Sequence, residues 1–105
     1  MIGLHIIEIA LQGIRDSEHY ECCERIIKAA RDVNAAETLC RRAKVSELIQ
    51  ARASLEISLD QLENSYNELK AKHGKVEAIE KIIREQKLAV VRSSYDKAKF
   101  KKSVR

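Results

Sequence analysis

The chain has 105 residues, no proline, three glycines, no tryptophan and a net charge of +4. Average usage would place roughly five prolines and seven glycines in this length, and without those turn formers an all-β or loop-rich fold is excluded. Charged residues make up 34% and hydrophobic residues 45%; this is the composition of long amphipathic helices, in one domain whose modest core favours self-association or a partner.

Leu4, Ile7, Leu11 and Ile14 recur at helical spacing, and Ile6, Ile9 and Ala10 widen the stripe. The pattern predicts an apolar amphipathic helix over 2–15. His5, Glu8, Gln12 and Arg15 give it one polar edge. That edge lacks the Lys/Arg-rich face of a membrane-surface helix, and the segment is too short to span a bilayer. A membrane surface therefore fits poorly, and a docking face Leu4, Ile7, Leu11, Ile14 fits better. No basic n-region or small-residue cleavage site marks a secretory signal, so the expected setting is intracellular and cytoplasmic. Gly13 weakens the helix end. Asp16 and Ser17 offer N-cap oxygens to the next helix.

Cys22, Ile26, Ala29, Val33, Ala36 and Cys40 form a second stripe. It predicts helices over 17–33 and 35–73. Asn34 and Glu37 have capping-box spacing, which permits a bend or short break at Asn34. The stripe crosses Asn34 in phase, so one continuous helix is the alternative.

Leu48, Leu55, Leu62, Leu69 and Val76 then fall at strict sevens, with Arg52, Leu59, Tyr66 and His73 at the second seam position. Consecutive leucine heptads with charged flanks predict coiled-coil-like packing. Leu48, Leu55, Leu59, Leu62, Tyr66, Leu69 and Val76 are the expected interaction seam, serving either self-association or the core of a hairpin. The polar Arg52 and His73 would fix register at some cost in stability. Tyr66 would reach the solvent edge with its hydroxyl. The frame slips at Gly74, a residue suited to closing a helix. A reversal there folds a return helix over 75–100 back on 35–73; the alternative is one unbroken rod. Residues 101–105 are expected to fray as a basic tail. The expected architecture is all-α: a single domain of long helices with coiled-coil-like packing, an antiparallel helical hairpin or small bundle, dimeric.

The chemistry of enzymes is hard to place in this pattern. No Gly-rich phosphate loop, HExxH or GxSxG occurs, so no enzymatic activity, cofactor or catalytic residue is expected. His19 with Cys22 or Cys23 has the spacing of two metal ligands, but a structural zinc site needs four, and no metal is expected. Adjacent Cys22 and Cys23 point in different directions on a helix, and Cys22 and Cys40 are expected to act as buried small hydrophobes. Charge is graded along the chain: residues 1–35 carry net −2, 36–73 zero and 74–105 +6. A basic concentration suits an acidic surface or a phosphate backbone. Arg31, Arg41, Arg42, Lys44 and Arg52 fall on one broad side, diluted by Glu37 and Glu47, and Lys97, Lys99, Lys101, Lys102 and Arg105 add to them from the tail. Such a face can hold double-stranded RNA through shape and phosphates.

The run RDVNAAETLCRRAKVSELIQARASLE, residues 31–56, resembles the RNA-binding helix of the small silencing suppressors of insect nodaviruses. The likeness rests on Arg31-Asp32, Ala43-Lys44 and Leu55-Glu56 and covers about a quarter of the chain. The leucine heptads from 48 to 76 depart from that family's pattern. The resemblance implies a helical dimer that binds duplex RNA, with Arg31, Arg42 and Lys44 as phosphate contacts. The first functional expectation is a non-enzymatic interaction module, whether scaffold, adaptor or chaperone-like. It would act as a homodimer or on a helical protein partner. The second expectation is a double-stranded-RNA-binding helical dimer.

Overall fold

Each apolar stripe needs another to cover it, and a single chain can do this only by reversing direction. In the computed structural model, which describes residues 1–15 and 18–92, the chain reverses between each pair of successive helices. The helices are α1 (Leu4–Leu11), α2 (Tyr20–Arg42), α3 (Val45–His73) and α4 (Glu77–Arg92). Among the described residues there is no strand, and no helix is long and apolar enough to cross a membrane.

Side-chain pairs fix the directions. Glu8 meets Arg31 and Arg15 meets Glu24, so α1 runs against α2. Arg25 binds Glu68 at 2.8 Å and Lys72 Nζ lies 4.0 Å from Cys22 Sγ, so α2 runs against α3. Tyr66 meets Glu80, Glu63 meets Lys87 and Arg52 reaches the Val90 carbonyl, so α4 runs against α3. The fourth side is closed by α1 packing on α4. The result is an up-down-up-down four-helix bundle.

The core contains Ile7 and Leu11 from α1, and Cys22, Cys23, Ile26, Ile27, Ala30 and Val33 from α2. Leu55, Leu59, Leu62, Tyr66 and Leu69 come from α3, and Ile79 and Ile83 from α4. The buried face of α2 is wider than one seam, because it meets both α1 and α3. Cys23 is consequently as buried as Cys22, although the two point apart.

Several boundaries differ from the periodicity. The first helix is not 2–15 but Leu4–Leu11. Gly3 precedes it in an extended conformation, and beyond Leu11 the chain tightens, with the amides of Ile14 and Arg15 both donating to the Leu11 carbonyl. An isolated helix this short is not stable in water; docking of Ile7 and Leu11 holds it. Asp16 and Ser17 lie outside the described residues, and α2 starts only at Tyr20.

There is no break at Asn34. The break falls at Ala43 and Lys44, both extended, with ψ of 138° and 160°. One continuous helix across 35–73 would leave the α2 and α3 stripes facing empty solvent, so packing overrides local propensity. None of the first three helices has a side-chain N-cap. Acidic first turns (Glu21, Glu47) and basic last turns (Arg41, Arg42; Lys70, Lys72) of α2 and α3 match their dipoles.

At Gly74 the chain turns and α4 returns along α3. Gly74 has φ 117° and ψ 179°, a region essentially reserved for glycine and not the left-handed helical cap its position suggested. The Gly74 amide donates to the Lys70 carbonyl at 2.9 Å. The return helix ends at Arg92 in the described residues; the rest of the expected 75–100 helix and the 101–105 tail lie outside them.

The four helices have 8, 23, 29 and 16 residues. At 1.5 Å per residue, α2 and α3 are about 34 and 44 Å long, against about 12 and 24 Å for α1 and α4. The α2–α3 hairpin therefore outruns its cover. From residue 37 to residue 54 no residue is buried. This stretch forms an arm.

Leu62, fully buried, and Leu39, exposed, should respond differently to truncation. Leu62→Ala is expected to cost about 2–5 kcal/mol, and Leu39→Ala less than about 0.5 kcal/mol, in urea unfolding of the two variants. Equal effects would contradict this placement of the core.

Candidate interaction surface

The seam expected to serve self-association or the core of a hairpin is occupied within one chain. Leu55, Leu59, Leu62, Tyr66 and Leu69 are buried in the bundle, while Leu48 and Val76 at its ends are half-buried. The N-terminal docking face is occupied likewise: Ile7 and Leu11 are buried, and Leu4 and Ile14 pack half-buried against the same core. What stays outside is different. On the arm and the turn after it, Leu39, Ile49 and Ile57 are 58%, 70% and 58% exposed. Leu39 borders a shallow groove between α2 and α3 with Ala43, Glu47, Gln50, Ala51 and Ser54. Ile49 and Ile57 lie on the face of α3 that points away from the bundle, opposite the buried leucines.

The basic residues divide. Arg31, Arg41, Arg42 and Lys44 are exposed. Arg31 has Glu8 at 3.9 Å and Arg41 has Glu37 at 3.9 Å. Arg31 and Arg42 are three turns apart on one face of α2, about 16 Å along the axis, and Lys28 shares that face. Arg52 does not join them. It is half-buried beside α4, donating to the Val90 carbonyl at 2.8 Å and lying 3.6 Å from Glu56. Arginine's fork suits this brace at the seam edge. The run 31–56 is also not one helix: it comprises the end of α2, the Ala43–Lys44 turn and the start of α3. The tail lysines Lys97, Lys99, Lys101 and Lys102 and Arg105 lie outside the described residues.

Two polar devices missed by periodicity hold the bundle beneath the arm. The Asn34 side chain clasps the N-terminal segment: the Ile2 amide donates to Asn34 Oδ1 at 2.8 Å, and Asn34 Nδ2 donates to the Ile2 carbonyl at 2.9 Å. Both backbone groups of Ile2 are thereby satisfied while its side chain is buried. The polar Asn34, crossed by an apolar stripe that keeps its phase, was the available signal, but its spacing to Glu37 suggested a helix cap and not a clasp.

The second device centres on Tyr66. Its hydroxyl is not at the solvent edge: the residue is buried, donates to Glu80 Oε2 at 2.7 Å and accepts the Val76 amide at 2.9 Å. Lys70 lies 3.3 Å from the same carboxylate. The turn between α3 and α4 is thus tied to the core by one phenol. The Tyr66 hydroxyl, with Lys70 and Lys75, holds the Glu80 carboxyl below its ordinary range against the opposing effect of burial. Burial, then the Glu80 carboxylate, raises the Tyr66 phenol.

At the other end, His19 and His73 meet edge to face with ring centroids 5.6 Å apart. Cys22 Sγ sits near Arg25 Nη2 at 3.5 Å and Lys72 Nζ at 4.0 Å. His73 is exposed and not a sealed seam residue. Among the described residues no three His, Cys, Asp or Glu side chains converge to hold a metal ion.

Stability should follow the Tyr66–Glu80 pair. A carboxyl lowered by folding adds stability above its unfolded pKa, about 4.3 for Glu, and that stability is lost as pH falls through the folded value. Thermal melts of the native chain and Glu80→Gln should therefore differ at pH 7 and converge in acid. Tyr66→Phe should cost about 1–2 kcal/mol by stranding the Val76 amide. Parallel curves for Glu80→Gln and the native chain at every pH would contradict this.

No family model, no curated protein and no solved structure matches this chain.

Proposed function

We propose that this protein is a non-enzymatic helical interaction module, of the scaffold, adaptor or chaperone-like class, that engages a helical protein or another copy of itself through the α2–α3 arm. The observation that carries the reading is the run from 37 to 54 without one buried residue, with Leu39, Ile49 and Ile57 exposed on or beside it. Isolated exposed aliphatics are ordinary, but clustered ones mark interaction sites. The leucine seam supports this reading differently from its spacing alone: buried within the bundle, it forms the base from which the arm extends. A photo-activated cross-linking side chain at position 49 or 57, in the cell of origin, is expected to give a discrete adduct. Position 67, exposed and polar on the same helix, is expected to give none. The same adducts from all three positions, or none from any, would remove the reading.

A second reading is binding of duplex RNA. Lys28, Arg31 and Arg42 line one face of α2, and Lys44 follows at the turn; Glu8 beside Arg31 dilutes the field. Arg31, Arg42 and Lys44 are also the contacts implied by the resemblance to nodavirus suppressors. Phosphate binding releases counterions, so affinity should fall steeply with salt. Paired Arg31→Glu and Arg42→Glu changes should abolish a gel shift of short duplex RNA while leaving the helical circular dichroism unchanged. Absence of any shift of the native chain at low salt would remove this reading.

A further inference from the structure

At the end of the bundle away from the arm, two cations from two helices approach one sulfur. Arg25 Nη2 donates to Cys22 Sγ at 3.5 Å from the next turn of α2, and Lys72 Nζ lies 4.0 Å from the same sulfur across the interface with α3. The two cations are held differently. Arg25 is committed to Glu68 at 2.8 Å. Lys72 has no carboxylate partner among the described residues, in contrast to Lys70, Lys75 and Lys87.

Cys22 is 3% exposed, but Arg25 and Lys72, which reach its sulfur, are exposed residues. The sulfur therefore lies one layer of side chains beneath the surface. Its electropositive setting is of the kind that distinguishes reactive thiols from inert ones. No second thiol is placed to pair with it. Cys23 is its neighbour on α2 and points to another side of the helix, whereas a disulfide needs Cβ atoms that face each other. Cys40 lies about 27 Å away along the same helix axis.

We propose that Cys22 and Lys72 form an oxidation-dependent covalent bridge, with a peroxide as oxidant and the lysine amine in the place of a resolving thiol. The Cys22 sulfur attacks one oxygen of hydrogen peroxide and the O–O bond breaks. Sulfur is oxidised to the sulfenic acid, and peroxide is reduced to water. The Lys72 ammonium gives one proton to solvent, and its nitrogen lone pair attacks the sulfenic sulfur. The S–O bond breaks, the leaving hydroxide takes a second proton from nitrogen, and the S–N bond of a sulfenamide remains. The sum is thiol, ammonium and peroxide to sulfenamide, two waters and one proton. Lysine's flexible stem lets the amine close the 4.0 Å gap. Arg25 stays charged and is no nucleophile. A thiol reductant reverses the bridge: two reductant thiols become a disulfide as cysteine and lysine are restored.

The bridge joins the first turn of α2 to the last turn of α3 and closes a loop that contains the whole arm. Closing that loop restricts the unfolded chain. The oxidised protein is therefore the more stable one, with the arm still displayed. This holds whether or not the arm binds a partner.

Intact mass spectrometry of the reduced full chain after brief treatment with hydrogen peroxide tests the bridge. A species lighter by two hydrogens is expected, and dithiothreitol should return it to the reduced mass. Tryptic digestion should join residues 16–25 to residues 71–75, with cleavage after Lys72 lost. Cys22→Ser and Lys72→Arg should each abolish the link, while Cys23→Ser and Cys40→Ser should leave it. In Lys72→Arg, which keeps the charge, Cys22 should instead gain two oxygens as the sulfinic acid. The linked chain should melt at least about 5 °C above the reduced one. Three results overturn the proposal. One is a native chain, folded by circular dichroism, in which Cys22 reaches the sulfinic acid with no linked species. Another is a Cys22 that stays a thiol while Cys40 is oxidised. The third is a link that persists in Lys72→Arg.

Discussion

The burial of one α3 leucine row from two sides organises this molecule. Leu55, Leu59, Leu62, Tyr66 and Leu69 meet α2 on one flank and α4 on the other. Neither contact is possible unless the chain reverses at both ends of α3. The reversal at Gly74 is assisted by a residue that tolerates φ 117°. The reversal at Ala43–Lys44 has no such residue. It is fixed by the apolar stripe of α2, which finds its cover only by folding against α3. Burying a leucine contributes about 1.5–3 kcal/mol, so several buried together outweigh the local preference for continuing a helix through Ala43.

Aliphatic packing alone does not choose one arrangement, and the polar contacts supply that choice. Asn34 accepts only a chain segment that presents an N–H and a C=O together, so it sets the register of α1 on α2. Tyr66 does the same for α4 on α3 by bonding both the turn backbone at Val76 and the carboxylate of Glu80. A one-turn slip of either helix would leave buried polar groups unpaired, at a cost larger than a typical hydrogen bond contributes. The exposed pairs Arg25–Glu68 and Lys87–Glu63 lie on the same helix interfaces. They agree with the register without fixing it, because solvent-screened ion pairs contribute little.

These features explain what could be read from residue spacing. The all-α class followed from the missing prolines and the long stripes. The α3 seam was legible because leucines at strict sevens return to the same side of a helix every two turns. Asn34 misleads since a polar residue followed by Glu37 has the same pattern whether it caps a helix or clasps a distant segment of chain. The Ala43–Lys44 break did leave a trace. Continuing the alternating steps of the stripe Val33, Ala36, Cys40 lands on Ala43 and then on Glu47, where an unbroken helix requires an apolar residue. The heptads beginning at Leu48 hid that gap by offering a new phase. The exposed arm was not legible at all. Exposure of Leu39, Ile49 and Ile57 depends on where α1 and α4 end relative to α2 and α3, a difference in length that only the assembled bundle reveals.

The arm also separates two requirements that compete on a small helical protein. A seam of leucines used for both folding and association would make the folded chain depend on its concentration. Here the core residues are sealed within the bundle, and the outward apolar line of α3 is short and interrupted by Ala53. It ends at Asp60 and the asparagines. A row this brief exposes an apolar area far below that of an obligate interface. The buried leucines and the exposed isoleucines thus lie on opposite faces of the same helix, and a substitution on one face can be read without disturbing the other.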